Sequence, residues 1–330
     1  MNIVNKSVMK AHPTYVSRFA LLLSLIFLFT FTQAQTNSPF PQATKRILFL
    51  GNSITYAGSY VIDIESYLIA HYPKQSYEII NVGLPSETVS GLSEPNHADG
   101  RFPRPDLHER LDRVLAQTKP DVVFASYGMN DGISLPLDEA RFRPYREGMK
   151  WLHTELEKTG AKRIIFLTPP VHDDKKLGTK GYNLTLDAYS NWLLAQRDSL
   201  KWEVADVHFP MTSYLDEKRK ADPSFKLAKD GVHPNKIGHW LIAKSILQYL
   251  GENVANAPDA LSTLSVNPRA EEIMSLVNQR QAIMKDAWLN ATGHNRPEMR
   301  QGLPMSEARQ KYDDIEKQIR TIIAETAPKR

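Results

Sequence analysis

Cysteine is absent from all 330 residues. A chain without it forms no disulfide, offers no thiolate nucleophile and carries no lipid-bearing cysteine. Apolar runs of membrane-spanning length are also missing. The conspicuous one, Ala20 to Phe31, has 12 residues, where about 20 are needed to cross a bilayer. No Gly-x-Gly-x-x-Gly, no Walker lysine motif and no Gly-x-Ser-x-Gly elbow occurs, which removes the usual nucleotide and α/β-hydrolase signatures. What is present, 42% hydrophobic and 24% charged residues, is ordinary globular usage and excludes disordered and collagen-like chains.

The first 34 residues read as a secretory leader. Lys6, Lys10 and Arg18 precede the apolar run, and Thr32-Gln33-Ala34 places small residues at a cleavage site. These three cations are the leader's only charges, so the formal net charge of +4 falls to +1 without it. Nothing in that balance calls for nucleic acid or an anionic membrane. The expected product is soluble, periplasmic or secreted, with no stable membrane anchor.

Residues 35–44, with two prolines, read as a linker. Beyond it, apolar runs at 46–50, 77–82, 121–126, 163–168 and 202–207 are near-continuous, as strands buried on both faces of a parallel sheet are. Helical patterns occupy about 59–71, 106–117, 138–158, 185–200 and 235–250. This alternation predicts a doubly wound α/β domain over 45–250, with ligands at the carboxyl ends of its strands. Residues 251–265 read as a second linker, and 266–330 as a C-terminal helical hairpin. Asn267-Pro268 is expected to open its first helix and Ser306 to cap its second. The long connections 83–105 and 169–184 are candidates for function.

Chemistry concentrates at the predicted strand ends. The first strand runs into Gly51-Asn52-Ser53, the second into Asn81-Val82-Gly83 and the third into Tyr127-Gly128-Met129-Asn130-Asp131. Asp230-Gly231-Val232-His233 opens the last helix of the domain. A carboxylate three residues from a histidine can fix its tautomer and stabilise the imidazolium. Taken singly, each signal has a blander reading as a cap, a turn glycine or a surface histidine. Asp131 reads as a brace for its loop. Asp206 with His208, and His172 with Asp173, Asp174 and His208, are weaker rival groupings, and the second matches no metal-ligand spacing.

In their order along the chain, the four blocks resemble those of the SGNH hydrolases, also called the GDSL family, from about Arg46 to Leu250. Asn52 stands where the name-giving motif has Asp. The resemblance implies a flavodoxin-like three-layer α/β/α sandwich with a five-stranded parallel sheet. It implies Ser53 as nucleophile, His233 as general base and then acid, and Asp230 as its orienting partner. The N–H groups of Ser53 and Gly83 and the side chain of Asn130 would form the oxyanion hole, and neither metal nor organic cofactor is required. Arg101, Arg104 and Tyr127 are the expected substrate contacts. Exported relatives resemble carbohydrate esterases, so the expected reaction is deacetylation of an oligo- or polysaccharide. Transfer of the acyl group to a sugar, a lipid or aryl esterase, and a noncatalytic glycan-binding module are the alternatives.

Overall fold

The computed structural model describes residues 38–177 and 181–326, so the leader at 1–34 lies outside the described residues. Five parallel strands, β1 (Arg46–Gly51), β2 (Glu78–Asn81), β3 (Val122–Ser126), β4 (Arg163–Leu167) and β5 (Glu203–Ala205), form one sheet in the order β2-β1-β3-β4-β5. The register sets Ile47 beside Ile79 and Val122, and Gly51 beside Ser126. Successive side chains leave a strand on opposite faces, which here means two separate cores. Ile47, Phe49, Phe124 and Ile165 join one; Leu48, Leu50, Val123 and Phe166 join the other.

The first core is covered by α2 (Ser59–His71), which follows the short α1 (Ser53–Ala57). The second is covered by α3 (Leu111–Thr118), α4 (Glu139–Lys158) and α5 (Asn183–Ser199). Two further helices, α6 (His208–Ala221) and α7 (Lys236–Tyr249), complete the first layer. The flavodoxin-like sandwich expected from the sequence is therefore the fold. Its strand order reverses between β1 and β3, and the crevice at their carboxyl ends is where such sheets bind ligands.

Several boundaries differ from expectation for local reasons. The helix sought at 106–117 starts at Leu111, because Asp106 first caps a 3₁₀ turn over Leu107–Glu109. Helix α6 went unread because only His208, Met211 and Leu215 are buried in it and its end is a run of charges. The stretch 251–265 is packed, not a free linker: Val254, Ala260 and Leu264 are buried, and Asp259 caps the one-turn α8 (Ala260–Thr263). Phe40, in the first expected linker, is likewise buried, edge-on to Tyr77 and Phe124.

The C-terminal helices are α9 (Ala270–Thr292) and α10 (Met305–Thr326). Asn267 accepts the Arg269 N–H at 2.8 Å, one turn ahead of α9, and Ser306 lies inside α10 instead of capping it. Helix α9 crosses the β2 edge of the sheet. Its Ile273, Leu276 and Val277 pack with Ile69 of α2, whereas Met284, Ala287 and Trp288 enter the core on the opposite face. Gln281 donates to the Ile79 carbonyl of β2 at 3.1 Å, so an edge that would otherwise offer unpaired backbone is covered by a helix.

Candidate active site

Ser53 is the first residue of α1, directly after the β1 carboxyl end. Asn52 Oδ1 accepts the Ile54 N–H at 3.1 Å and so fixes where α1 begins. Gly51 is required by close approach: a Cβ there would lie 2.4 Å from Thr55 Oγ1 and 2.9 Å from the Ser126 carbonyl oxygen. The departure from the name-giving aspartate is thus a cap that an asparagine supplies equally well.

On the other side of the crevice, α7 is started by Asn235, whose Oδ1 accepts the Gly238 N–H at 3.0 Å. The loop before it brings His233 Nε2 to 2.9 Å from Ser53 Oγ and His233 Nδ1 to 2.6 Å from Asp230 Oδ2. Asp230 Oδ1 also accepts the N–H groups of Val232 at 3.0 Å and His233 at 2.8 Å. Partial burial pushes the Asp230 carboxyl up, but the His233 ring and these two N–H groups outweigh it and bring it down to about 2. The loop itself is braced from the 169–184 connection. The buried Asp173 carboxylate pairs with Arg219 and accepts the Ala228 N–H at 2.8 Å, and the Asp173 N–H donates to the Gly231 carbonyl at 2.7 Å.

The depressed Asp230 carboxyl makes a pH prediction with a definite sign. A carboxyl lowered on folding adds stability above its unfolded value near 4 and loses that contribution as pH falls through the folded value. The gap in Tm between wild type and Asp230→Asn is expected to be constant above about pH 5 and to close between about pH 4 and 2. A gap that closes between pH 7 and 5 would contradict this.

Gly83 does not take the donor role expected for it. Its N–H is already given to Asn81 Oδ1 at 2.9 Å, and a Cβ there would lie 2.3 Å from the Tyr56 N. Gly83 is a packing glycine: it lets the β2 end meet α1, where Asn81 Nδ2 donates to the Thr55 carbonyl at 2.7 Å. Three residues on, Leu84-Pro85-Ser86-Glu87 makes a turn closed by the Glu87 N–H to the Leu84 carbonyl at 3.2 Å. Ser86 holds φ +69° in it, a left-handed position that usually goes to glycine. Its backbone N–H has no partner among the described residues. Sequence reasoning missed Ser86 because its sole signal, a proline before it, is shared by many turns.

Asn130 is buried at the β3 end, with Nδ2 donating to the Glu87 carbonyl at 3.1 Å and one amide N–H left over. Beneath both loops, Glu87 and Arg110 form a fully buried bidentate pair at 2.6 and 2.7 Å, and Arg110 also donates to the Val82 carbonyl at 2.8 Å. The Tyr127 hydroxyl donates to Glu87 at 2.7 Å. Tyr127 is therefore inside the protein, supporting the loop, and not a substrate contact. Asp131 braces as expected, accepting Val89 and Ser90 N–H at 2.9 Å each and Gly128 N–H at 2.8 Å.

The two arginines are also engaged. Arg104 is held by Glu94 at 2.6 and 2.7 Å, and Arg101, half exposed, pairs with Glu298 of the segment between α9 and α10. The rival groupings come apart. Asp206 accepts the Thr168 hydroxyl at 3.0 Å, while the His208 ring lies between the Pro169 carbonyl at 2.9 Å and Asp187 at 2.7 Å. No three His, Asp or Glu among the described residues are grouped to hold a metal ion.

Comparison with known proteins places the fold and the family. A curated acetylxylan esterase of Geobacillus stearothermophilus is 24% identical over 228 residues, covering 63% of this chain and 94% of that protein. The crystal structure of Axe2, an acetylxylan esterase from the same organism, superposes with a TM-score of 0.51 at 25% identity, over 64% of this chain and 97% of the other. A gut microbial diltiazem-metabolizing enzyme shares the fold at 22% identity and a TM-score of 0.50; the match spans 63% of this chain and about half of that one, 47%. The sequence model of the GDSL-like Lipase/Acylhydrolase family matches residues 49–241. That span is more than half of the chain and runs from the strand before Ser53 to the helix after His233, so this protein belongs to the GDSL-like lipase/acylhydrolase family and is an ester-hydrolysing serine hydrolase.

Proposed function

We propose that the chain is an exported esterase that removes acetyl groups from carbohydrate through an acyl-enzyme on Ser53. The observation that carries this reading is the unbroken hydrogen-bond chain Ser53–His233–Asp230, at 2.9 and 2.6 Å. A serine hydroxyl is a weak nucleophile until a neighbouring base takes its proton. His233 Nε2 accepts that proton as Ser53 Oγ bonds to the acetyl carbonyl carbon. It then returns the proton to the departing sugar oxygen, whose bond to that carbon breaks. Water repeats the sequence on the acetyl-serine and releases acetate. Asp230, ionised throughout, holds the Nδ1–H and stabilises the imidazolium.

The carbonyl oxygen becomes negative at each addition and needs donors already in place. We assign the backbone N–H groups of Ser53 and Ser86 and the Asn130 amide, with Ser86 replacing Gly83 for the reason given above. Asn130→Ala is expected to lower kcat by about 10²–10³, roughly 3–4 kcal/mol, with little change in KM. A loss under about threefold in steady-state assays would remove it from that role.

Carbohydrate acetate as substrate rests on the activity of the acetylxylan esterase relatives and on the expected leader. The test is acetate release from a panel of acetylated polysaccharides by wild type and by Ser53→Ala, beside an aryl acetate. Ser53-dependent release from a glycan is the expected result. Turnover of the aryl ester alone would reject the carbohydrate assignment, and acetyl transfer to added oligosaccharide in excess of free acetate would make the protein a transferase.

A further inference from the structure

A cleft of about 640 Å³ opens beside the triad, between α2, the start of α7 and α9. It begins at Ala57, in the same short helix as Ser53, and at Pro234, the residue after His233. Its outer wall is α9, which lies beyond the segment that the family model matches. The volume is that of an ordinary small-ligand site.

One polar group facing this cleft is buried without a partner, His239 Nδ1, while Asp63 is half-buried and Lys236, Glu271, Ser275 and Asn278 are open to solvent. Asp63, Lys236 and Asn278 make no side-chain hydrogen bond or salt bridge among the described residues, and neither ring nitrogen of His239 has a partner. His239 is only 4% exposed, and burial lowers its pKa to about 4, so the ring is neutral. Burial pushes the Asp63 carboxyl up to about 7, against the pull of Lys236. Leaving a buried polar atom unpaired costs stability, which marks the His239 edge of the cleft as prepared for a hydrogen bond from outside. The set is mixed: carboxylates at Asp63 and Glu271, an ammonium, an amide, a hydroxyl at Ser275 and a neutral imidazole. Such a lining suits a ligand with many hydroxyls and no charge of its own, since Glu271 opposes an anion and Lys236 opposes a cation.

The reaction sets where the alcohol half of an ester lies. The departing oxygen must reach His233 Nε2 to receive its proton, so the sugar sits on the His233 side of Ser53, and the acyl oxygen points toward Asn130. Pro234, the residue after His233, lines the cleft on that side. We propose that this cleft is a subsite for neutral sugar units of the glycan flanking the acetylated one, walled by α9. The inference depends on the esterase reading for this orientation, but its binding test does not.

Ser275 lies on the exposed side of α9, away from the buried Ile273, Leu276 and Val277. Ser275→Trp therefore fills the cleft while leaving the packed face intact. In the Ser53→Ala background, the full chain is titrated with unacetylated xylotetraose by calorimetry, and with tetragalacturonate as an anionic comparison. Xylotetraose is expected to bind, at least tenfold more weakly once Ser275→Trp is added. With Ser53 restored, the ratio of kcat/KM on acetylated xylan to that on aryl acetate is expected to fall at least tenfold in Ser275→Trp. Asp63→Ala, a cavity-enlarging change, is expected to weaken xylotetraose several-fold and controls for any folding defect in the first variant. Equal xylotetraose affinity with and without Ser275→Trp, absence of xylotetraose binding, or preference for tetragalacturonate would each overturn the subsite. Failure of acetate release would strike the esterase reading alone, because the calorimetry needs no turnover.

Discussion

Ser53→Ala is expected to lower kcat by roughly 10⁵-fold or more on any ester the enzyme turns over, without loss of fold. His233→Ala should cost about as much, and the double variant little more than either. Both residues act in one step: without the base the hydroxyl is inert, and without the hydroxyl the base has nothing to activate. Groups that act as a unit give losses that do not add. What survives is the slow attack of water, aided by the oxyanion donors. Ser53 is partly exposed at the head of α1 and His233 is half exposed, so neither truncation opens a core cavity, and the Tm should stay within a few degrees. Additive losses in the double variant, or retained turnover in either single one, would break the assignment of the pair.

Arg110→Met should act on stability instead. Arg110 and Glu87 are both fully buried, and their mutual hydrogen bonds are joined by those from Tyr127 to Glu87 and from Arg110 to the Val82 carbonyl. Removing one partner of such a pair strands the other charge and costs about 3–5 kcal/mol. The double replacement Arg110→Met with Glu87→Leu should recover much of that loss, since an apolar pair of similar volume leaves no stranded charge. Denaturant titration of the three variants reads both effects. Activity should not recover with stability. The Glu87 carbonyl holds Asn130 and its neighbour is Ser86, so the turn that carries the proposed donors is expected to relax in the double variant. A double variant as unstable as Arg110→Met would show that the pair is not the source of the loss.

The sheet, and the grouping of Asp230 with His233, were legible because their signals are local. Runs such as Arg46–Leu50 and Arg163–Thr168 show continuous apolar character, and Asp230 and His233 are three apart in one turn. The donor loop was not legible, since its meaning lies in what is already paired. Gly83 looks like a free turn glycine until Asn81 is seen to occupy its N–H. Tyr127 looks like a rim residue until its hydroxyl is found on buried Glu87. Arg110 and Glu87 lie 23 residues apart in sequence, and only folding makes them a pair. Helix α6 hid for a different reason: with three buried positions it has almost no apolar stripe to detect.

The polar contacts between α2 and α9 bear on how such a protein can change over time. Glu65 of α2 is buried against Arg280 at 2.6 Å and Gln281 at 2.6 Å, and Arg280 also reaches Glu316 of α10. Four side chains from three helices, one inside the family segment and two outside it, thus form a single electrostatic unit. A lineage that lost the C-terminal helices would strip Glu65 of its buried partners and bare the β2 edge of the sheet at once. A single change such as Glu65→Gln would answer the first defect but not the second. The appendage and the catalytic domain are therefore bound to evolve together, so variation at position 65 should track variation at positions 280 and 281 among relatives that carry the extension.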